Sequence, residues 1–462
     1  MRKVKIGLLP LYIKLYDDYA AGLRPGIEKY YKDIISAVSA EGADVLAADI
    51  CRTRSEFETA VKSFEDECVD AIVTVNLAYS PSLESAEVLA NTSLPILVLD
   101  TTRDYCFDFN VAPGSTSYNH GIHGVQDICN LLKRHKKEYT VFAGHFENSD
   151  VVKRVVNAAR AIMAARSLRE MRVGQLGGAF AGMGDFTVSK GTFDRLGLTL
   201  VECDGERLAE LEDEVSEERM KEEYALDCEE NGGAAVPYEK YVDTARVALA
   251  VRDWIKEANL SAFTMNFTRV GKVKGFSIIP FMEACKQMGQ GIGYAGEGDI
   301  INAGLVGALM SAFDKVNFVE MFCPDWKNDT IYFNHMGESN VALMENRRML
   351  TKVFPYAEES KDPTYLIGHI KAGEGCILNM LPNEDGWFDV VIVEGEFMQL
   401  PEKLESFPFV ISGWFKPKSQ VASLLEKYSE LGGTHHSAYV YGVDGKSLSL
   451  FAKTLGMKCT II

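Results

Sequence analysis

The sequence predicts an α/β protein with two doubly wound parallel-sheet domains followed by a C-terminal antiparallel, β-rich, barrel-like domain. In the first third, short and almost continuously apolar strands alternate with helical patterns. This alternation resumes after an acidic interruption, whereas the last third contains short strands separated by turn residues. Continuously apolar strands joined by helices are typical of buried parallel sheets, and strands punctuated by turns are typical of antiparallel barrels.

The first domain is expected over residues 1–167. A helix is predicted over 114–134, and helical periodicity in IEKYYKDIISAVSAEG ends at a glycine. The predicted strands are KVKIGLLPLY, DVLAADI, DAIVTVN, PILVLD and YTVFAGH. Because these strands alternate with helices, we expect a Rossmann-like parallel sheet.

The second domain is expected over residues 168–315 and the third over residues 316–462. The second domain has predicted strands in MRVGQLGGAF and SAFTMNF, and an acidic helical stretch that we interpret as a solvated face. The strands predicted for the third domain are DTIYFNHM, TYLIGHIKA, GCILNML, FDVVIVEGEF and SAYVYG.

Composition limits the possible partners. The chain has 462 residues, of which 47% are apolar and 25% charged, as expected for a globular protein with more than one domain. Its net charge of −18 argues against nucleic acid. No apolar stretch reaches the ~20 residues that a membrane helix needs. The 10 cysteines form no C-x-x-C motif, which predicts a reduced, cytoplasmic protein.

The segment GYAGEGD combines glycines with two carboxylates, Glu297 and Asp299, directly before an apolar helical run. A carboxylate at a helix N-terminus opposes a bound phosphate, so the segment favours a cation. Asp299 is also predicted to cap the helix that follows. An acidic pair in this position is often only a cap, so the motif alone does not identify a site.

Other candidate ligands lie in the last third of the chain. Glu320 lies in the apolar strand NFVEMF and needs a cation or a hydrogen-bond partner. His335 ends a β run, and His435 and His436 are adjacent in GGTHH. Because neighbouring strand residues face opposite sides, only one of that pair is expected to reach a given site. Two carboxylates and two imidazoles suit Mn²⁺, and also Mg²⁺ or Co²⁺.

The segments GYAGEGD, FVE, NHM and GGTHH, in this order, resemble the L-arabinose isomerase family, which is related to the L-fucose isomerases. The resemblance spans most of the chain and is weakest at its N-terminal end. It implies a metal-dependent aldose–ketose isomerase that forms a homo-trimer or homo-hexamer, with each site completed by a neighbouring chain. The implied metal ligands are Glu297, Glu320, His335 and His436.

The same resemblance implies a set of sugar contacts. Taken alone, apolar members of this set are more often core residues, and two histidines three positions apart on a helix can simply form hydrogen bonds. The set is Leu11, Tyr12, Tyr79, His120, His123, Met183 and Phe267.

Three positions depart from the family pattern. Leu9 and His120 stand where the family prefers glutamine, and Met321 replaces the usual acid after Glu320. The metal set is retained while part of the sugar-contacting set differs. The resemblance therefore supports the reaction class more strongly than L-arabinose as the substrate.

The implied reaction moves a proton between C1 and C2 of an open-chain sugar through an enediol. We hypothesise that Glu297 and Glu320 serve as metal ligand and proton carrier, in either order, because a carboxylate bound tightly to a metal is a weaker base. One alternative is an isomerase of L-fucose, D-galactose or a modified sugar. Another is a non-catalytic sugar-binding protein, since tandem doubly wound domains also form such proteins.

Overall fold

A computed structural model describes residues 2–233, 235–356, 360–401 and 410–462. The chain divides into two compact units, residues 2–163 and residues 164–462. None of the helices within the described residues combines the length and the apolar character needed to cross a membrane.

The N-terminal unit contains a five-stranded parallel sheet with the strand order β2-β1-β3-β4-β5. Its strands are β1 (Lys5–Leu11), β2 (Asp44–Ala47), β3 (Ala71–Asn76), β4 (Ile96–Asp100) and β5 (Tyr139–Ala143). Its helices are α1 (Lys14–Tyr19), α2 (Arg24–Ala40), α3 (Arg54–Asp66), α4 (Ala86–Asn91), α5 (Thr116–Asn119) and α6 (Gly121–Arg134). Helix α7 (Val151–Leu168) extends from this unit into the next one.

The helix predicted over 114–134 is divided, which corrects that prediction. The break lies at His120, whose φ of −98° and ψ of 30° are not helical. Gly121 and Gly124 then pack closely against the end of β3. A Cβ atom on Gly121 would lie 2.7 Å from the carbonyl oxygen of Asn76, and one on Gly124 would lie 2.1 Å from its side-chain nitrogen. The glycine spacing of NHGIHG therefore permits close approach of helix α6 to the sheet.

The larger unit begins with a four-stranded parallel sheet of order β7-β6-β8-β9. Its strands are β6 (Arg172–Leu176), β7 (Thr199–Glu202), β8 (Ala262–Met265) and β9 (Gly293–Gly296). Its helices are α8 (Lys190–Leu196), α9 (Gly205–Glu214), α10 (Glu217–Glu230), α11 (Tyr238–Glu257), α12 (Phe281–Gly289) and α13 (Ile300–Met310). A Cβ atom on Gly293 would lie 2.2 Å from the backbone nitrogen of Gly307, so α13 lies directly against β9.

Antiparallel strands follow in the same unit, and within the described residues six of them close into a barrel. The closed order is β16-β11-β10-β17-β14-β15, with β15 pairing back to β16. The strands of this sheet are β10 (Val316–Asp325), β11 (Thr330–His335), β12 (Met344–Thr351), β13 (Thr364–Ile370), β14 (Gly373–Pro382), β15 (Phe388–Phe397), β16 (Ile411–Pro417), β17 (His436–Tyr441) and β18 (Lys458–Ile461). Two helices accompany them, α14 (Val421–Glu430) and α15 (Gly445–Thr454).

The predicted fold class is confirmed, with two parallel α/β sheets and a C-terminal antiparallel barrel. One hydrophobic core joins the helices of the central sheet to the barrel. It includes Tyr241 and Leu249 of α11, Phe333 of β11 and Tyr439 of β17. Burial of these large side chains is the main stabilising contribution to the unit.

The acidic helix α10 forms more than the solvated face that the sequence suggested. Glu223 of α10 accepts hydrogen bonds from Arg252 of α11 and Lys286 of α12, with nitrogen–oxygen distances of 2.5 and 2.6 Å. Arg252 also pairs with the fully buried Glu283 at 2.8 Å, and Lys286 with Asp227 at 2.6 Å. The network links three helices through buried charges, which are costly to leave unpaired.

The pKa values of the two acids in α10 shift in opposite directions. Burial raises the pKa of Glu223, but Arg252 and Lys286 outweigh burial and lower that pKa to about 2. The pKa of Asp227 is raised, chiefly by burial. A carboxyl group with a depressed folded pKa stabilises the protein above its unfolded pKa and loses this contribution as the pH falls.

We expect Glu223→Gln to lower the free energy of unfolding at neutral pH, because Arg252 and Lys286 keep their charges and lose a partner. The difference from wild type should shrink by up to ~1.4 kcal/mol for each pH unit. This decrease should occur between the ordinary pKa of 4.5 and the folded value of about 2. Urea unfolding across this range measures it, and the exposed Glu222 of the same helix, changed to glutamine, serves as the control. A pH-independent difference would contradict the assignment.

Candidate metal centre

Glu297 lies in the turn between β9 and α13, at the carboxyl end of a parallel strand, where α/β sheets bind ligands. Its φ of 64° is a left-handed conformation that residues other than glycine rarely adopt. The backbone N–H of Phe180 donates a hydrogen bond to the Glu297 carbonyl at 2.9 Å. The next residue, Gly298, has a φ of 81°, and a Cβ atom there would lie 2.3 Å from the carbonyl oxygen of Gly178. The turn therefore requires glycine after Glu297.

Asp299 caps α13 as predicted, accepting hydrogen bonds from the backbone N–H groups of Ile301 and Asn302 at 3.1 and 3.0 Å. Its second oxygen lies 2.9 Å from Nδ1 of His436, and both residues are fully buried. We assign the proton to Nδ1, because a carboxylate can only accept. This leaves the lone pair on Nε2 of His436, which has no hydrogen-bond partner among the described residues.

Glu320 and His335 lie on the neighbouring strands β10 and β11, and Nε2 of His335 is 3.2 Å from a Glu320 oxygen. His335 is therefore the partner that an acid in the apolar strand β10 was expected to need. Nδ1 of His335 contacts the buried carboxylate of Glu338, which also accepts a hydrogen bond from Tyr294. Burial lowers the pKa of His335, but Glu338 and Glu320 outweigh burial and raise that pKa to about 10.

These side chains form two overlapping groups of metal-ligating atoms that share His436. Glu320, His335 and His436 form one group, and Glu297, His435 and His436 form the other. In each group the ligand atoms lie within 4.8 Å of one another. A Glu297 oxygen is 4.0 Å from Nε2 of His436. Carboxylate oxygens around an imidazole nitrogen without a partner form a donor set that fits a divalent cation.

His435 approaches the same centre, although strand alternation predicted that only one residue of the pair would do so. The alternation does not apply because β17 begins at His436, leaving His435 in the preceding loop. Nε2 of His435 is 3.4 Å from Glu297, and Nδ1 is 2.6 Å from Asp185. Burial lowers the pKa of His435, but Glu297 and Asp185 outweigh it and raise that pKa to about 9. Burial raises the pKa of Glu297, but the nearby imidazoles outweigh burial and lower it.

Met183 and Phe267, the predicted sugar wall, are half-buried in the same unit. The ring of Phe267 packs against Phe180 and Tyr356, with centroid distances of 5.5 and 5.8 Å. Because Phe180 also bonds to the Glu297 backbone, this aromatic cluster lies beside the Glu297 turn. The assignment of Met183 and Phe267 to a sugar remains a prediction.

The other predicted sugar contacts lie in the N-terminal unit, where several of them form an aromatic cluster. Nε2 of His120 is 3.0 Å from the hydroxyl of Tyr16, and the rings of His120 and His123 are 5.8 Å apart. The ring of Tyr12 lies 6.1 Å from that of Tyr16.

The remaining two members of this set have other contacts. The hydroxyl of Tyr79 donates to Asp127 at 3.4 Å, and Leu11 belongs to the hydrophobic core of the unit. The roles of the N-terminal set toward a sugar remain predictions.

Sequence reasoning missed Asp185 and Glu338, which contact the histidines of the centre. Asp185 is 250 residues from His435 along the chain, so no local pattern connects them. Glu338 had a local signal, since it follows His335 by three residues in NHMGES. A carboxylate three residues after a candidate histidine ligand is close enough to orient the imidazole of that histidine.

Two family models match consecutive segments that contain this centre. The L-arabinose isomerase central domain matches residues 201–314, and the L-arabinose isomerase C-terminal domain matches residues 315–458. Together they cover more than half of the chain.

Curated relatives align over most of the chain at low identity. L-arabinose isomerase 1 of Bacillus licheniformis is 24% identical, covering 90% of this chain and 85% of its own length. L-arabinose isomerase of Anoxybacillus flavithermus is 24% identical, covering 86% and 81%. Among solved structures, an Agrobacterium vitis ABC transporter solute-binding protein bound with α-D-tagatopyranose covers 59% of this chain and 80% of its own, at 15% identity. Its TM-score of 0.16 is too low to bear on fold or function. The two matched domains and the long alignments show that this chain is a divergent member of the L-arabinose isomerase family.

Proposed function

We propose that this protein is a metal-dependent isomerase that interconverts an L-arabinose-like aldose and its ketose. Its family membership makes it an aldose–ketose sugar isomerase. The observation that carries the metal dependence is the environment of His436. A fully buried imidazole nitrogen without a hydrogen-bond partner is costly, and here it lies 4.0 Å from the Glu297 carboxylate. A cation bound between these groups would remove that cost.

The residues that would hold the ion are Glu297, Glu320, His335 and His436. Carboxylate and imidazole donors suit Mn²⁺, with Mg²⁺ and Co²⁺ as alternatives. When bound, a divalent ion supplies Lewis-acid polarisation of the sugar carbonyl and stabilises negative charge on its oxygens. Asp299 supports this set by fixing the His436 ring through Nδ1, and Glu338 lies against Nδ1 of His335 as a charged neighbour.

The protein supplies the base. Glu297 or Glu320 removes the proton from C2 of the open-chain aldose and returns it to C1, while the O2 hydroxyl proton passes to O1. The product is the ketose, the intermediate is an enediol, and no external oxidant is consumed. A positioned carboxylate base contributes ~10²–10⁴-fold to such a proton transfer. Both glutamates lie beside imidazoles, so the geometry allows either one to act as the base.

We further propose that the chain forms a homo-trimer or homo-hexamer in which the N-terminal unit of a neighbouring chain completes each site. Exposed apolar side chains between β4 and α5 support an assembly. Phe107 is 51% exposed, Tyr105 is 70% exposed, and Phe109 projects fully into solvent. Clusters of exposed large apolar groups are typical of protein interfaces.

We also propose a cytoplasmic location. All ten cysteines lie in the described part of the chain and are free thiols, which favours a reducing compartment.

Ketose formation from an aldose should stop after treatment with a chelator and return when Mn²⁺ is added. The reason is that the carbonyl loses its electrophilic partner while the protein remains folded. The measurement is ketose yield from L-arabinose, L-fucose and D-galactose with Mn²⁺, Mg²⁺ or Co²⁺. Faster turnover of L-fucose or D-galactose would reassign the substrate. Sugar binding without turnover, unaffected by the chelator, would identify a binding protein instead.

Glu297→Gln and Glu320→Gln should each reduce kcat by at least ~100-fold, because each removes a charged ligand or the base. Mn²⁺ affinity, measured by calorimetry, should fall as well. Glu374→Gln is a matched control on an exposed position of the same barrel and should retain wild-type kcat. Full activity in both active-site variants would exclude the proposed chemistry.

Two inactive variants should complement each other if neighbouring chains share a site. His123→Gln changes the N-terminal unit and Glu320→Gln changes the barrel, so mixed oligomers would contain some sites with both residues intact. Activity should reappear after the two proteins are mixed, dissociated and reassembled. Light scattering determines the number of subunits. A monomer in solution, or mixed oligomers without restored activity, would contradict the shared site.

A further inference from the structure

The loop of residues 177–187, here called the β6–α8 loop, contacts the Glu297 turn through its main chain. The Phe180 N–H donates to the Glu297 carbonyl at 2.9 Å. The close approach of the Gly178 carbonyl at Gly298 fixes the other side of the turn. These contacts hold a backbone conformation that is unfavourable for glutamate.

The same loop also reaches the Glu297 side chain, through Asp185 and His435. One oxygen of Asp185 accepts two hydrogen bonds from His435, one from its backbone N–H at 3.0 Å and one from Nδ1 at 2.6 Å. The second bond assigns a proton to Nδ1 and fixes the plane of the ring. Nε2 then lies 3.4 Å from a carboxylate oxygen of Glu297.

Phe186, the residue after Asp185, limits the movement of both adjacent imidazoles. Its ring centroid is 5.9 Å from that of His435 and 5.7 Å from that of His436. The Phe186 and His436 rings are nearly parallel, with an interplanar angle of 9°. Because Phe186 is buried, it occupies space into which the imidazoles would otherwise turn.

We propose that Asp185 is a positioning residue that orients His435, and that His435 in turn orients the Glu297 carboxylate. This inference rests on the proposed function of the site. His435 contacts Oε2 of Glu297, the same oxygen that lies 4.0 Å from Nε2 of His436, and so sets its position relative to the proposed ion. The β6–α8 loop thus fixes both the backbone and the side chain of a residue that must be placed accurately for catalysis.

His435 could instead serve as a metal ligand, because its ligand atom lies within 4.8 Å of those of Glu297 and His436. The two roles predict different results. A ligand contributes directly to Mn²⁺ affinity, whereas a residue that orients Glu297 contributes mainly to turnover.

The test uses Asp185→Asn in the full-length protein, because a neutral amide is a weaker acceptor for Nδ1 and loosens the hold on the His435 ring. We expect kcat to fall at least ~100-fold, as when an orienting carboxylate is replaced in a catalytic triad. KM and the Mn²⁺ Kd should stay within about threefold of wild type. Asp185→Glu retains a carboxylate and should restore part of the activity. Asp194→Asn, at an exposed position on α8, is the control.

A second readout does not depend on activity. In ¹⁵N-histidine-labelled protein, solid-state NMR should show Nδ1 of His435 as a strong hydrogen-bond donor in wild type, and this signature should weaken or disappear in Asp185→Asn. His435→Asn identifies the signal by its loss. An unchanged Nδ1 signal would overturn the proposal, and so would a weakening of Mn²⁺ binding by more than about threefold in Asp185→Asn.

The two proposals can fail separately. If wild type isomerises none of the tested aldoses, the proposed function fails. The NMR result and Mn²⁺ affinity would still decide whether Asp185 sets the orientation of His435.

Discussion

The hydrogen bond between Asp299 and His436 is the constraint on which the centre depends. It joins the N-terminus of α13 to the first residue of β17, across 137 positions of sequence, and both side chains are fully buried. Removing either partner would leave a buried polar group unpaired, at a cost of ~1–3 kcal/mol or more. The parallel sheet and the barrel are therefore connected at the point where the unpartnered imidazole nitrogen lies.

A carboxylate lies at Nδ1 of each imidazole of the centre. Asp299 and Asp185 accept hydrogen bonds from His436 and His435, and Glu338 makes an ion-pair contact with His335. Together with Glu297 and Glu320, these acids give the centre more carboxylates than imidazoles. In a partly buried site such an excess of negative charge is unfavourable, and a divalent cation would compensate it.

The sequence was sufficient to predict what local patterns encode. Apolar strand runs predict the three sheets, and the position of Asp299 before an apolar helical run predicts its role as a helix cap. Distant pairings could not be predicted in this way, because the bond from Asp185 to His435 depends on tertiary structure alone. The break at His120 was missed because helical periodicity continues on both sides of it. Burial of Glu223 was missed because its partners lie on α11 and α12, outside the acidic segment.

Strand pairing also distinguishes the proposed metal ligands from the loop residues around them. Glu320 lies opposite His436 in the antiparallel pairing of β10 with β17, and His335 ends the adjacent strand. A shift of one residue in this pairing would turn these side chains to the opposite face. Met183, by contrast, lies on a loop, where substitutions disturb the fold less. Under the proposed function, the barrel and the β9–α13 turn would fix the catalytic groups, while the choice of sugar could change through loops such as the one that carries Met183.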